Sequence, residues 1–390
     1  MWIRPLSISL SPNTEKDDIL LAFRFSKYKK GKAVKELEEQ FKHYLGVRHA
    51  FAFNSGRTCL MAILDSLKIQ GEVLLQAFTC NAAVNPIIWS GLKPVYVDCN
   101  ENTFNMDMDD LKRKITLNSK AVIIQHTFGI PSEIPRENLI LIEDCAHALG
   151  AEINGQKVGT FGKAAFFSFS RDKIISSVYG GMAVTNDDDL AEKIKKYQDN
   201  LKYPSYFWIF QQLFHPILMN LLILPTYRIL GKYLLILFQW LRILSKAVHW
   251  KEKQGLRPNY FPRKMPNALA ILALNQFKKL ERLNNHRRDL ARFYYNNLAL
   301  EFPKINGKPV FLRVPIKHEQ AHQIIKKAWK KNLLIGDWYT SPVAPNDTDL
   351  EKVQYVIGSC PKAEKLAKTT FNLPTNISLK DAKKIIKFLK

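Results

Sequence analysis

Short apolar runs recur through the first half of the sequence, each closed by a polar turn and followed by a stretch of helical periodicity. They are Ala50-Phe-Ala-Phe53, Val73-Leu-Leu-Gln-Ala77, Val95-Tyr-Val97, Ala121-Val-Ile-Ile-Gln125, Leu139-Ile-Leu-Ile142 and Ala164-Ala-Phe-Phe-Ser168. Runs this short and this apolar read as buried strands, and strands that alternate with helices at such spacing pair in parallel in a doubly wound α/β sheet. The topology also fixes where chemistry sits, because ligands enter the crevice outside the carboxyl ends of such strands. Phe78, His126, Asp144 and Lys173 all fall at or just after a strand end.

Two of these ends matter together. Glu143-Asp-Cys-Ala-His147 ends one run with an acid, and Phe167-Ser-Phe-Ser-Arg-Asp-Lys173 ends another with an amine. A third, Phe53, runs into Asn54-Ser-Gly-Arg-Thr58 and then into the helical Cys59–Leu64 stretch, a strand-turn-helix junction whose free N–H groups form an anion cradle. Pyridoxal phosphate asks for such groups: a lysine to form an imine, an acid to keep the pyridine nitrogen protonated and a seat for its phosphate. Taken singly, each residue is also an ordinary strand end or helix cap.

A chain of 390 residues, 46% apolar and 24% charged, is long enough for two or three globular domains. Met1-Trp-Ile-Arg-Pro5 has no basic, apolar and cleavable segments of a secretory signal, and the five cysteines have no CxxC spacing, so a reducing cytoplasm is expected and no metal site. The formal charge of +23 attracts polyanions, yet the lysines are spread over the whole chain without a zinc-finger, RNP or glycine-rich signature; nucleic acid is not an expected partner.

With Lys30-Gly-Lys-Ala-Val-Lys-Glu-Leu-Glu, Asn54-Ser-Gly, Gly91-Leu-Lys-Pro-Val-Tyr-Val-Asp98, Glu143-Asp-Cys-Ala-His-Ala148, Val158-Gly-Thr-Phe-Gly162, Phe167–Lys173 and Gly180-Gly-Met-Ala-Val-Thr185 in this order, the sequence resembles the DegT/DnrJ/EryC1/StrS family. These are sugar aminotransferases of the three-layer fold type I that depend on pyridoxal phosphate and usually act on nucleotide-linked keto sugars. The resemblance implies Lys173 as the Schiff-base lysine, Asp144 as partner of the ring nitrogen and His147 beside the phenolic oxygen. It also implies Ser168 with Gly56, Arg57 and Thr58 at the phosphate, an amino-acid donor (glutamate by family habit), a keto-sugar acceptor and a homodimer. Relatives that dehydrate instead carry histidine in place of the lysine, so Lys173 argues for amination. A membrane-associated scaffold or regulator that keeps the fold without catalysis is the alternative.

Several positions depart from the family pattern. Ser55-Gly-Arg57 replaces Ser-Gly-Thr, placing a cation either near the phosphate or outward. Cys80 stands where a ring-stacking aromatic is expected, leaving stacking to Phe78 or to none, and Val178-Tyr179 replaces Gly-Glu. Pro262-Arg-Lys-Met265 replaces Asn-Tyr-Arg-Met, so the asparagine that relatives lend to the partner's phosphate is missing and Arg263 or Lys264 is its possible substitute.

The largest departure is an apolar insertion. Tyr206–Tyr227 contains no Lys, Arg, Asp or Glu, and Tyr233–Leu244 follows closely. A spanning hairpin, a pair of interfacial helices and a hairpin packed on protein all fit. Trp208, Trp240 and Trp250 with flanking Arg228, Lys232, Arg242, Lys246 and Lys251 favour an interfacial hairpin over 206–247 on an anionic membrane, at the cytoplasmic face. The expected division is 1–200 and 256–298 for the large domain with its linking helix, 201–255 for the insertion, and 299–390 for a smaller α+β domain in which Trp338 and Tyr339 are mouth or core aromatics.

Overall fold

The apolar runs become the strands of one seven-stranded sheet in the computed structural model, which describes residues 5–10, 13–23 and 28–390. Its strands are β1 (His49–Phe53), β2 (Glu72–Gln76), β3 (Lys93–Val97), β4 (Ser119–Gln125), β5 (Ile140–Asp144), β6 (Ala164–Ser168) and β7 (Gly181–Thr185), in the order β1-β7-β6-β5-β4-β2-β3. Only β7 runs antiparallel, to β6 and β1; every other pairing is parallel. The register sets Asp144, last residue of β5, between Gln125 at the end of β4 and Phe166 of β6.

Helices cover both faces, as a sheet of near-continuous apolar strands requires. α1 (Ala33–Leu45) buries Leu37, Phe41 and Leu45 at the expected spacing and stops at Gly46, whose φ of 73° favours a residue without Cβ. The sequence reads 15–46 as helical; a separate helix occupies Lys16–Ala22, and residues 24–27, like Met1–Arg4, lie outside the described residues. α2 (Gly56–Leu67) is apolar nearly all round and buried from Gly56 through Leu64, as is α3 (Asn81–Trp89) through most of its length. α4 (Asp188–Asn200) closes this face, its first turn capped by the Asp187 carboxylate accepting from Leu190 N–H.

The insertion is a helical hairpin. Its residues are helical throughout Tyr206–Trp240, long enough by count to cross a membrane. The rod is folded, however: a Cβ on Gly231 would lie 2.1 Å from the carbonyl of Ile223, and residues eight apart in a straight helix are separated by about 12 Å. Gln211 meets the Arg242 carbonyl, and Leu235 packs in one cluster with Met219, Ile223 and Leu244, so the arms run antiparallel. α5 (Tyr206–Leu218) forms the first arm with the wider turns that extend it to Ile223, and α6 (Lys232–Trp240) the second. With the wide turn Tyr227–Gly231 that leads into α6, the second arm covers 227–240, about 21 Å at 1.5 Å per residue and shorter than the roughly 30 Å hydrocarbon core.

α5 packs its Trp208, Ile209, Leu213 and Ile217 into the core beside α7 (Asn267–Phe277). α6 buries none of its residues. Beyond the linking helix α8 (Leu280–Asn297), β8 (Arg313–Lys317) pairs antiparallel with β9 (Thr370–Pro374), backed by α9 (Ala321–Lys330) and α10 (Leu379–Leu389) around their own core.

Candidate active site

A cavity of about 390 Å³ opens outside the carboxyl ends of β4, β5 and β6. Lys173 lies on its wall in the turn after β6. Its carbonyl and that of Ile174 accept from the Asn13 amide, which fixes the turn. Its Nζ is 2.9 Å from His147 Nε2, while His147 Nδ1 accepts the N–H of Phe128 at 3.2 Å. With Nδ1 used as an acceptor, the single proton of a neutral imidazole sits on Nε2 and donates to the lone pair of an uncharged amine. Burial holds Lys173 below its ordinary pKa, against the pull of Asp172, Cys80 and Asp144. Burial, then Lys173 and Arg313, push His147 far down as well. Geometry and electrostatics therefore agree on a neutral, nucleophilic amine.

Asp144 faces the same cavity. Burial raises its pKa, opposed by the Ala146 N–H that it accepts at 2.9 Å and by Lys173. Neighbouring Gln125 is held by the Thr79 hydroxyl and in turn reaches Thr127. Glu143, one residue earlier, points away into the core, where it collects the N–H groups of Gly159, Phe161 and Gly162 and the ring of His126. His126 and the 158–162 loop are thus scaffolding for the strand end that carries Asp144.

At the opposite end of the cavity, Ser168 closes β6 against the start of α2. Ser55 caps that helix by accepting the Thr58 N–H, leaving the N–H groups of its first turn toward the cavity. A Cβ on Gly56 would come within 3.1 Å of Ser168 Cβ, and one on Gly181 within 2.6 Å of Gly56 N. Glycine at 56 and 181 keeps this cradle open to an anion.

The remaining expected residues are distributed differently. Phe78, an expected stacking residue, is excluded from the cavity: it is fully buried with φ 60° and packs against Phe104, Phe128 and Tyr339. Thr58 shapes the turn, its hydroxyl bonded to Asn54 Oδ1, and does not line the cavity. Arg57 lines the cavity, but its guanidinium is turned to a carboxylate of the protein itself. It is buried in an ion pair with Glu252 and donates to the Ala247 carbonyl. Cys80 does line the cavity, with its thiol pushed up by burial.

An aromatic the sequence leaves between mouth and core supplies the missing flat surface. Trp338 lines the cavity, stacks on His147 at 5.3 Å, lies 4.8 Å from Lys173 Nζ and carries the Arg313 guanidinium on its ring at 3.2 Å. Asn372 fixes it through both its N–H and its carbonyl.

Sequence reasoning also missed the roof. His215 of α5, Met219 of the wide turn after it, Leu235 and Gln239 of α6, and Ala247 and Val248 of the returning chain all line the cavity. The return segment is pinned from below by Arg171 to Ser245, by Tyr179 to the carbonyls of Lys246 and Ala247, and by Arg57 to Ala247 and Glu252. The flagged Arg57 and Tyr179 were the available signal, since both are large polar residues in a loop where the family carries smaller or acidic ones.

The family model described as the DegT/DnrJ/EryC1/StrS aminotransferase family matches residues 12–203 and 243–390. The chain belongs to that family. What lies between the two matched stretches corresponds to the hairpin. GDP-perosamine synthase of Vibrio cholerae is 26% identical over 366 residues, 90% of this chain and 84% of that protein. GDP-perosamine synthase of Caulobacter vibrioides is 40% identical over 174 residues, 42% of this chain and 47% of that one. Helicobacter pylori PseC, described as an aminotransferase involved in the biosynthesis of pseudoaminic acid, superposes with a TM-score of 0.73 at 21% identity, over 100% of this chain and 97% of that one. As a member, this aminotransferase is an enzyme that uses pyridoxal phosphate and belongs to a group engaged in nucleotide-sugar modification.

Proposed function

We propose that this aminotransferase moves an amino group from an amino acid, glutamate, to a phosphorylated keto sugar, nucleotide-linked or lipid-linked, in glycoconjugate or cell-surface polysaccharide biosynthesis. The observation that carries this is the Lys173 amine, held by His147 within a cavity that has a carboxylate at one end and a helix start at the other. Those residues fit the cofactor: the open cradle of Gly56 and Ser168 suits its phosphate, Asp144 its ring nitrogen, and Trp338 with His147 its ring. Bound there, pyridoxal phosphate supplies an electron-withdrawing ring that acidifies the Cα proton of an amino compound.

The chain's own groups do the rest. Lys173 Nζ would hold the cofactor and, when free of it, would move a proton, for which its lowered pKa suits it. His147 Nε2 orients that amine, and Asp144 would be the carboxyl partner of the ring nitrogen. The hairpin roof excludes water above them.

The sequence division into a large domain (1–200 with 256–298), an insertion (201–255) and a small domain (299–390) belongs to this proposal, as does a homodimer. So does a place on the cytoplasmic face of the membrane, supported by the outward side chains of Phe207, Tyr233, Ile236 and Trp240. Pure protein with added cofactor is expected to show a visible absorbance band that changes on adding glutamate. A protein that binds the cofactor and shows no change with glutamate or any other amino acid contradicts the assignment. For the membrane, Phe207→Ser/Ile236→Ser/Trp240→Ser is expected to abolish flotation with anionic liposomes. Equal flotation refutes it, and dissociation of a homodimer by the same variant assigns this face to the partner copy.

A further inference from the structure

The return segment is a wall with a hollow on each side. Ala247 and Val248 face the catalytic cavity, while Ser245 and Lys246 face a second groove of about 780 Å³, and Gln239 lines both. The groove exists only because the hairpin does, since its outer wall is α5 and α6.

Arg242, Lys246, Lys251 and Arg263 line it, and no Asp or Glu does. None of the four has a carboxylate partner among the described residues; Arg263 spends its donors on the carbonyls of Pro262 and Asn259. Central to them is His249, whose pKa is lowered by burial and then by Lys251, Arg242 and Lys246. Uncompensated cations at close quarters form a site for a polyanion. On its outer side the groove reaches Trp240 and Trp250, 76% and 60% exposed, and through Trp240 the apolar face formed by Tyr233, Ile236 and Leu237. A basic hollow beside an exposed apolar face suits an anion that carries a hydrocarbon chain.

We propose that the groove seats the diphosphate of a lipid-linked sugar, with the sugar passing Gln239 into the catalytic cavity and the lipid following the outer hairpin face to the bilayer. This rests on the reading of the acceptor as a phosphorylated keto sugar and names its carrier. A nucleoside diphosphate shares the phosphate chemistry and its base can stack on Trp240 or Trp250, but it leaves the apolar face of Tyr233, Ile236 and Leu237 beyond them uncovered.

Trp208, Trp240 and Trp250 line the groove, so binding is read from tryptophan fluorescence of the full chain loaded with cofactor in nanodiscs, titrated with farnesyl diphosphate, farnesol, UDP, GDP and pyrophosphate. Farnesyl diphosphate is expected to bind at least tenfold more tightly than any of the others. Arg242→Gln/Lys246→Gln/Lys251→Gln is expected to weaken it at least tenfold and to leave the cofactor band and its response to glutamate unchanged. Arg242 and Lys246 hold the hairpin through their backbone carbonyls, which the substitution keeps. UDP or GDP binding as tightly as farnesyl diphosphate, farnesol binding equally, or full affinity in the triple variant overturns the proposal. The titration involves no turnover, so a silent glutamate response indicts the aminotransfer reading alone.

Discussion

Replacing Arg57 by Met leaves Glu252 buried without its cation. Glu252 is fully buried, its remaining partner is the N–H of His249, and burial already raises its pKa against the pull of Arg57. Removing one member of such a pair costs about 3–5 kcal/mol, because the orphaned charge keeps its desolvation penalty. The loss falls on the return segment, which Arg57 also holds at Ala247 over a distance of 3.3 Å. Since about 1.4 kcal/mol is tenfold, a 3 kcal/mol loss means roughly a hundredfold more local opening. Hydrogen exchange of the amides in 244–256 is expected to accelerate by about that factor in Arg57→Met, with the amides of β4 and β5 unchanged. The double variant Arg57→Met/Glu252→Gln removes the stranded charge and is expected to exchange more slowly than the single. The sign of the pH dependence is set by the carboxyl: with its folded pKa raised above the unfolded value, the deficit of Arg57→Met is largest above that pKa and shrinks as acid protonates Glu252. Wild-type exchange rates in the single variant, or purely additive effects in the double, refute the pairing as the anchor of the roof.

Lys173→Ala is expected to lose the visible cofactor band and all aminotransfer, read by absorbance and amine release. Asp144→Asn is expected to keep the bound cofactor and lose about 10²–10³ in turnover, the size of effect seen when a charge aimed at the reacting group is removed. Gly56→Ala places a methyl 3.1 Å from Ser168 Cβ and is expected to raise the cofactor dissociation constant at least tenfold in equilibrium dialysis, with glutamate affinity unchanged in the loaded enzyme. Because the Lys173 pKa is depressed from 10.5, cofactor capture by the cofactor-free protein should stay fast well below that pH. It should slow only where the amine gains its proton. A capture rate that already falls steadily from pH 10 downward contradicts the neutral amine.

The sheet and the cofactor end of the site were legible because strand ends and helix starts are written locally: an apolar run, an acid, a serine, a glycine. Asp144, Gly56 and Lys173 were picked out that way, Ser168 and His147 through the family resemblance, and the fold sets all five around one cavity. Phe78 was misplaced because its left-handed backbone turns the ring into the core, and no local pattern announces that. Trp338 arrives from some 160 residues downstream, held by Asn372, so its place over Lys173 depends on how the small domain docks. Arg57 looked like an anion ligand because its partner, Glu252, lies on the far side of an insertion whose path the periodicity does not specify. The hairpin itself was visible as composition, while the bend at Thr226 that brings Gly231 against Ile223 was not.

Tyr179, Arg171 and Arg57 reach upward from the catalytic domain into the same stretch of returning chain, 245–252, and this makes the hairpin a poor candidate for trimming. Cutting 206–241 away would leave two guanidinium groups and a phenol facing an apolar hollow with their acceptors displaced. A relative that received the hairpin alone would keep the packing of α5 on the core but lose the three side chains that pin the returning chain. What looks like an appended module is therefore inherited, grafted or lost only together with the residues under it.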